Sequence, residues 1–365
     1  MVLNDLPNIG PITLNRLLAE FGGDPRVILA TDRRRLEAVR GVGPETSAAL
    51  AAWREHFDLA REEARLAQAG AAFITPRDEG YPRLLKEIHD PPIGLYRKGG
   101  YLFEHPCVAV VGSRRTTLYG QGVAKKLGAQ LAQLGFCVVS GLARGIDTAA
   151  HEGALSVGGK TAAVLGCGID IVYPPENLGL FRRIAETGAI LSEFPFGRKA
   201  DKQTFPMRNR VVAGICEAVV VVESDVAGGA MITARFAGEQ GRLLFAVPGR
   251  IDQPSSAGCH QLIRDGATLL TSVDDILNEL SYLDGLRPKP ITKAGEKPLL
   301  EQLLPQLSDS ENKVAEAFRG GAMLGVDALT AATGMAPAEI SAALMSLELK
   351  RIIQKRADGT FEARS

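Results

Sequence analysis

Glycine, serine and arginine residues directly after one apolar run could hold a phosphate group. The run Cys107–Val111 is followed by Gly112-Ser113-Arg114-Arg115, and a helical pattern begins near Leu118. A guanidinium can form a forked contact with phosphate oxygens, and Ser113 and the N–H groups that open the helix can add donors. The G-x-G-x-x-G spacing of dinucleotide-binding enzymes is absent, because Arg114 stands where the second glycine would admit a pyrophosphate.

The next apolar run ends in Ser140-Gly141, where an NAD-dependent enzyme would carry an acidic residue for the ribose. This ending argues against a nicotinamide cofactor. Arg144 and Gly145 follow, and the two glycines let the main chain approach a ligand closely. Asp147 is expected to cap the helix that comes next.

Further along, a basic irregular segment carries Lys202, Arg208, Asn209 and Arg210, and Gly228-Gly229 precedes another helical pattern. The helix dipole disfavours cations in the first turn of a helix, so this pattern predicts a bound anion beside the arginines. Together these segments make four anion-accepting turns, three of them with arginine, which is more than one mononucleotide needs. They suit a polyphosphate such as a nucleic-acid backbone.

The elements that position these turns are seven apolar runs that alternate with helical patterns. The runs begin at residues 107, 137, 161, 189, 218, 243 and 268. Continuous apolar strands separated by helices predict the α/β class, with a doubly wound, mostly parallel, Rossmann-like sheet in a domain over 71–285. In such a sheet ligands bind beyond the carboxyl ends of the strands, which is where the turns lie. The residues from Phe73 read as a connector whose start could add a strand.

Two smaller domains are predicted around this sheet. Residues 1–70 contain two helical hairpins with glycine turns, a tandem helix-hairpin-helix (SAM-like) pattern that could contact DNA phosphate or simply pack. A Pro/Lys/Gly linker at 286–304 leads to a winged helix at 305–365, where Asp358-Gly359 signals a hairpin. The third helix of that domain carries Glu339 and Glu348, which favours a protein-interaction or accessory role over duplex readout.

Composition limits the partners. The 42 Lys and Arg residues balance 42 Asp and Glu residues, so a nucleic-acid site must be a local patch. Five dispersed cysteines without a C-x-x-C pair indicate buried thiols in a reducing compartment and no metal. With neither a signal peptide nor an apolar run long enough to span a membrane, we expect a cytoplasmic protein.

The segments GSRRTTLYG, SGLARGIDTAAHEGAL, GCGIDIVYPPEN, FPMRNRVVAG and GGAMITARFAGEQGR resemble, over about 80–266, the DNA processing protein A family, also called DprA or Smf. The resemblance implies a non-enzymatic, cytoplasmic protein of natural transformation that binds and protects incoming single-stranded DNA. It also implies that the protein counters single-strand binding protein, loads RecA recombinase and forms a homodimer through the end of the sheet domain. No cofactor is implied.

The turns and the resemblance together give the candidate residues. The predicted single-stranded DNA contacts are Gly112, Ser113, Arg114, Arg115, Ser140, Gly141, Arg144, Gly145, Lys202, Arg208, Asn209, Arg210, Gly228 and Gly229. The predicted dimer contacts are Leu262, Ile263, Leu269 and Leu270. Two residues depart from the family pattern: Pro175 replaces a lysine that many members carry, and His260 replaces an asparagine.

Two other functions are open at this stage. The glycine-turn pattern also resembles phosphoribohydrolases that release bases from nucleoside monophosphates, but Phe236 stands at the position of their glutamate. His151 could act in acid/base chemistry, although a packing role is favoured because no nucleophile or carboxylate pair accompanies it. Alternatively, the winged helix could read duplex DNA in a regulator.

Overall fold

The computed structural model describes residues 1–6, 8–283, 307–318, 324–350, 352–355 and 360–363. The chain divides into two compact units, Met1–Thr292 and Lys293–Ser365. The linker predicted at 286–304 and the hairpin turn at Asp358-Gly359 lie outside the described residues.

The first unit is built on a nine-stranded sheet with the order β1-β2-β6-β5-β4-β3-β7-β8-β9. Its strands are β1 (Ala71–Ile74), β2 (Leu95–Lys98), β3 (Cys107–Val111), β4 (Cys137–Ser140), β5 (Thr161–Leu165), β6 (Ala189–Ser192), β7 (Ala218–Val221), β8 (Leu243–Ala246) and β9 (Thr268–Leu269). The strands from β3 to β9 pair in parallel, and β2 pairs antiparallel with β1 and β6. All seven predicted strands and the α/β class are confirmed; β2 was not expected.

Among the described residues of this unit, seven helices precede the first strand, and seven more alternate with or follow the strands from β3 on, as the sequence predicts. They are α1 (Val2–Asp5), α2 (Pro11–Glu20), α3 (Pro25–Ala30), α4 (Arg33–Glu37), α5 (Pro44–Ala51), α6 (Trp53–His56), α7 (Leu59–Ala69), α8 (Leu118–Gln133), α9 (Ile146–Ser156), α10 (Leu178–Thr187), α11 (Thr204–Ile215), α12 (Gly229–Glu239), α13 (Pro254–Arg264) and α14 (Val273–Glu279). Residues on alternate sides of the strands belong to two different cores: Cys107, Ala109 and Val111 of β3 face one layer of helices, while Val108 and Val110 face the other.

The order of strands places a switch point between β3 and β7. From β3 the chain winds outward through β4, β5 and β6, and it then returns to the other side of β3 to form β7, β8 and β9. The turns after β3 and β7 therefore leave in opposite directions and open a crevice at the carboxyl edge. This crevice is the expected place for a ligand.

The N-terminal helices pack directly on the sheet and belong to the same compact unit. Tyr96 of β2 donates its hydroxyl hydrogen to Glu62 of α7 at 2.8 Å, and Asn4 donates to the carbonyl of Glu193 at 2.9 Å. Gly10 and Gly43 precede the prolines that begin α2 and α5, as the two predicted hairpins require. None of the helices in the described residues combines the length and apolar character that crossing a membrane requires.

The described residues of the second unit form three helices and two strands, as predicted for a winged helix. They are α15 (Asp309–Ala317), α16 (Val326–Thr333), α17 (Pro337–Leu349), β10 (Ile353–Lys355) and β11 (Phe361–Ala363). The strands pair antiparallel, and Leu324 forms a bridge with Phe361. Val314, Leu329, Ile340 and Leu347 are fully buried between the helices.

A buried carboxylate links α15 to the C-terminal end of α17. Glu311 accepts from the Ser308 amide at 2.7 Å, completing a capping box, and from Lys350 Nζ at 2.7 Å. Lys350, with the Ser346 hydroxyl and the Ser308 amide, lowers the pKa of Glu311 from 4.5 to about 2.

Glu311→Gln should destabilise the winged-helix unit at neutral pH by roughly 1 to 2 kcal/mol, because the amide cannot replace the ion pair with Lys350. A depressed folded-state pKa means that the carboxylate stabilises the unit above pH 4.5 and loses this effect as the pH falls towards about 2. The difference in melting temperature between wild type and variant should therefore become smaller as the pH is lowered from 4.5 to about 2. Glu348→Gln, on the exposed side of α17, serves as the control. A difference in melting temperature between wild type and Glu311→Gln that did not depend on pH would contradict a stabilising ion pair between Glu311 and Lys350.

Candidate nucleic-acid interface

An open cleft of about 700 Å³ lies at the switch point. Ten of the fourteen predicted contact residues line it: Gly112, Ser113, Arg114, Arg115, Gly141, Lys202, Arg208, Asn209, Gly228 and Gly229. Arg144 lines a small adjoining hollow that shares Arg114 and Arg208 with the cleft. The remaining three, Ser140, Gly145 and Arg210, line neither space. The sheet therefore brings most of the separate turns to one place.

The turn after β3 is held by a carboxylate from the end of β7. Glu223, only 3% exposed, accepts from the hydroxyls of Thr116 and Thr117, both at 2.6 Å, and from the Thr117 amide at 2.9 Å. Thr117 is the residue that caps α8. The expectation that the amides opening α8 bind a phosphate is therefore wrong, because an internal anion already occupies this helix N-terminus.

Glu223→Gln should lower the free energy of unfolding by about 1 to 2 kcal/mol, because the amide nitrogen of glutamine is itself a donor and cannot accept from Thr116 or Thr117. Chemical unfolding in urea measures the loss. Asp225→Asn, an exposed change two residues along, should stay within about 0.5 kcal/mol of wild type. Equal stability of both variants would show that Glu223 does not secure the turn.

The turn after β4 is filled in the same way. Asp147 is buried and accepts from the amides of Gly141 at 3.0 Å and Ala143 at 3.3 Å. The prediction that Asp147 caps its own helix is wrong, since it binds the preceding turn. Burial raises the pKa of Asp147, while the charge of Arg208 and the two amides act in the opposite direction.

The glycines of this turn make room for protein atoms from neighbouring segments. A Cβ on Gly141 would lie 1.9 Å from Nη1 of Arg208. Gly145 has φ +77°, and its Cβ would lie 2.4 Å from the Ser113 carbonyl oxygen. Ser140 is also internal, because its buried hydroxyl donates to the Val110 carbonyl at 2.7 Å. The expected DNA contacts at Ser140 and Gly145 are thus corrected to structural contacts between neighbouring turns.

Helix α11 joins several of the turns through its polar side chains. Arg208 is buried, and its Nη1 donates to the carbonyls of Gly141 and Val164 at 2.6 Å each. Its Nε donates to Oδ1 of Asn209 at 3.1 Å, and Asn209 in turn donates to the Gly229 carbonyl at 3.3 Å. Arg208 and Asn209 therefore form the floor of the cleft and connect its walls.

Arg210 points away from the cleft. Its guanidinium donates to Glu193 Oε2 at 2.7 Å and to the Asp90 carbonyl at 2.7 Å, and its side chain is 6% exposed. The prediction that an external anion must neutralise this helix is therefore wrong for Arg210, because Glu193 supplies the charge. The helix also begins at Thr204, which places both arginines beyond its first turn.

Fewer residues than predicted are free to contact a ligand at the cleft, and they are of two kinds, cationic and aromatic. Arg114, Arg115 and Lys202 are exposed, and no carboxylate among the described residues lies within ion-pairing distance of them. The guanidinium of Arg114 lies 4.6 Å from the ring centroid of Phe205, and that ring lies 5.8 Å from Tyr173, which is 40% exposed. The fold thus places a cation, Arg114, beside the first of two adjacent aromatic rings.

The rings of Phe205 and Tyr173 were missing from the predicted site. Phe205 lies in the FPMRNR segment and Tyr173 in the YPP segment, but a single aromatic residue in either segment carries no spacing signal of its own. Each is far from Arg114 in the chain, so only the fold brings the three side chains together.

One predicted anion-accepting turn is open. Helix α12 begins at Gly229 after Gly228, and no side chain caps it. Both glycines line the cleft, and a Cβ on Gly229 would meet no atom within 4 Å. Among the predicted turns, the N-terminus of α12 combines free space with main-chain N–H groups that no side chain caps.

Comparison with known proteins gives the same assignment as the motifs. A family model described as DNA recombination-mediator protein A matches residues 72–281, which is more than half of the chain. The chain belongs to this family. A second model, described as DprA winged helix domain, matches residues 298–359.

Several members of the family cover nearly all of the chain. A protein Smf from Synechocystis sp. is 33% identical over 99% of this chain and 97% of its own length. A putative DNA processing protein DprA from Mycobacterium tuberculosis is 37% identical over 91% of this chain and 86% of its own length. Family membership thus extends through both end regions.

Two solved structures of the family have the same sheet domain. DNA processing protein A from Streptococcus pneumoniae superposes with a TM-score of 0.67 at 36% identity, covering 76% of this chain and 95% of that one. The protein from Helicobacter pylori, whose structure was described for its single-stranded DNA binding mode, gives a TM-score of 0.53 at 31% identity, covering 59% of this chain and 98% of that one.

The residues that depart from the family pattern have local partners here. Pro175 begins a short 3₁₀ turn, and the next residue, Glu176, pairs with Arg144 at the rim of the hollow. His260 Nε2 lies 3.1 Å from the Gly249 carbonyl oxygen.

The acid/base candidate His151 is buried against Thr161, and burial lowers its pKa to about 3.

The four predicted dimer residues differ in exposure. Leu262 and Leu270 are buried in the two cores of the sheet, so the expectation that they face a second copy is wrong. Leu269 is 46% exposed on β9, the edge strand, and Ile263 is half-buried on α13.

Proposed function

We propose that this chain is a cytoplasmic, single-stranded DNA-binding protein of natural transformation that protects incoming strands and loads RecA recombinase onto them. The observation that carries the DNA-binding part is the contact of Arg114 with the Phe205 ring, which in turn contacts Tyr173, at a cleft lined by cations without a carboxylate partner in the described residues. Single-strand binders combine a basic groove for the backbone with aromatic rings on which bases stack. Protection, RecA loading and competition with single-strand binding protein rest on family membership.

The arrangement favours a single strand over a duplex. Phe205 and Tyr173 can stack only on bases whose faces are free, and a duplex hides those faces. Arg114, Arg115 and Lys202 would bind phosphates, and the N-terminus of α12 at Gly229 would bind one more. Arg144 reaches the same strand only if it exchanges its partner Glu176 for a phosphate.

Homodimerisation is part of the proposal. Strand β9 is an edge of the sheet, and its exposed Leu269, with Ile263, offers an apolar contact to a second copy. Sedimentation that shows only monomer at micromolar concentration would contradict a dimer.

The described residues give little support to an enzymatic function such as that of a phosphoribohydrolase. Phe236 lies where phosphoribohydrolases carry glutamate, and the buried carboxylates nearest the cleft, Glu223 and Asp147, are engaged by three and two donors of the chain. No three His, Cys, Asp or Glu side chains in the described parts lie together as a metal site. Release of a free base from a nucleoside monophosphate would overturn the non-enzymatic assignment.

Titration of labelled single- and double-stranded oligonucleotides at two salt concentrations tests the DNA-binding function. We expect single strands to bind more tightly and the affinity to fall steeply with salt, because phosphate contacts release counterions. Repeating the titration with RecA should show faster filament assembly on the bound strand. Equal affinity for both DNA forms would contradict the proposal.

Removal of residues 300–365 separates loading from a regulatory function of the winged helix. A loader keeps its single-strand affinity in the truncated chain, because the cleft lies in the first unit. A duplex-reading regulator would lose its binding.

A further inference from the structure

A second concavity, of about 550 Å³, lies between the N-terminal helices and the connector that follows β1. It shares no lining residue with the cleft at the switch point. Its walls are mainly aliphatic and aromatic, with Leu14, Leu18, Leu29, Phe73 and Ile93 among them. A pocket of this size holds one or two bulky side chains, and its apolar surface gains free energy when they displace water.

The charged side chains that line this pocket all belong to arginines. Arg54 is exposed, and its guanidinium lies 4.5 Å from the centroid of the Trp53 ring without a carboxylate partner in the described residues. Arg77 donates to the Gly23 carbonyl at 2.8 Å, and Arg26 pairs with Asp24. No aspartate or glutamate lines the pocket, so its mouth attracts anionic groups.

We propose that this pocket binds a peptide segment of a partner protein in which a bulky apolar side chain stands next to carboxylates. The apolar side chain enters between Leu18, Leu29 and Phe73, and a neighbouring carboxylate pairs with Arg54 at the mouth. A nucleobase fits less well, because the aliphatic walls leave its polar edge without partners, and burying unpaired polar groups costs free energy. The proposal gives the N-terminal helices a protein-docking role that does not depend on the DNA cleft.

The pocket contains its own reporter, because Trp53 is the sole tryptophan of the chain. The probe is the synthetic peptide Gly-Asp-Glu-Asp-Leu-Phe-Gly, titrated into the full-length protein while Trp53 emission is recorded. We expect a saturable change that is absent with two control peptides, one with Ser-Ser in place of Leu-Phe and one with Lys-Lys-Lys in place of Asp-Glu-Asp. No saturable change up to ~1 mM would overturn the proposal, since that limit corresponds to negligible affinity.

Variants locate the binding, with the anisotropy of the fluorescein-labelled peptide as readout, since a change at Arg54 alters Trp53 emission directly. Arg54→Ser should weaken the affinity about 3- to 5-fold, the effect of one partly exposed ion pair. Leu29→Glu should weaken it by more than about 10-fold, because it places a carboxylate where the apolar group enters. Arg34→Ser, an exposed arginine outside the pocket, is the matched control.

DNA binding distinguishes this proposal from the proposed function. Both pocket variants should keep wild-type circular dichroism and wild-type affinity for oligothymidine. Displacement of the labelled peptide by oligothymidine, or equal loss of peptide and DNA binding in Arg54→Ser, would assign the pocket to nucleic acid and overturn the peptide site. Loss of DNA binding in a cleft variant with peptide binding intact would leave the peptide site standing.

Discussion

Arg208→Met is expected to lower the free energy of unfolding by about 3 to 5 kcal/mol, the cost of removing one partner from a buried charged network. The substitution leaves the carbonyls of Gly141 and Val164 without their donor and Asp147 without the nearby cation. Methionine has a similar length, so the loss measures the hydrogen bonds and the charge more than the volume. Chemical unfolding in urea gives the value.

The pH dependence of this loss identifies its source. Burial already raises the pKa of Asp147, and removal of Arg208 raises it further. A raised carboxyl pKa means that the folded variant gains stability when Asp147 takes up a proton, so the deficit should be larger at about pH 7.5 than at about pH 5.5. Arg235→Met, on the exposed face of α12 with an ion pair to Glu239, should cost less than about 1 kcal/mol. A small loss at Arg208 would mean that α11 does not hold the turns together.

Arg114→Ala is expected to weaken single-stranded DNA binding about 5- to 150-fold, equivalent to about 1 to 3 kcal/mol. The alanine removes both the forked phosphate contact and the cation beside the Phe205 ring. The free energy of unfolding should change little, because Arg114 is exposed and makes no buried hydrogen bonds like those that Arg208 makes to main-chain carbonyls. Fluorescence anisotropy with labelled oligothymidine measures the affinity.

Two companion variants separate charge from geometry. Arg114→Lys keeps the charge without the planar fork, so we expect an affinity between those of wild type and Arg114→Ala. Arg61→Ala removes an exposed arginine from α7, away from the cleft, and should bind as wild type does. Wild-type affinity in Arg114→Ala would remove this residue from the interface.

Much of the fold could be predicted because its signals are local. Each parallel strand from β3 to β7 is buried on both faces, so it reads as a continuous apolar run between helical patterns. The same regularity places every strand-to-helix turn at the carboxyl edge, and this was enough to locate Arg114, Lys202 and Gly229 at one site. The connector strand β2 was not expected, because Leu95–Lys98 is a short half-polar strand in a segment rich in proline and glycine.

The sequence by itself determined the seven parallel strands and the edge of the sheet at which their turns lie, because strand burial and turn position follow from residue order. Only the tertiary structure decided which of those turns are available. Glu223 fills the turn before α8 from 106 residues away, and Glu193 neutralises Arg210 from 17 residues away. Partners so distant in the chain leave no periodic signal in the sequence. An arginine that binds a ligand therefore cannot be distinguished by sequence from one that forms an internal ion pair, and only the folded structure separates the two.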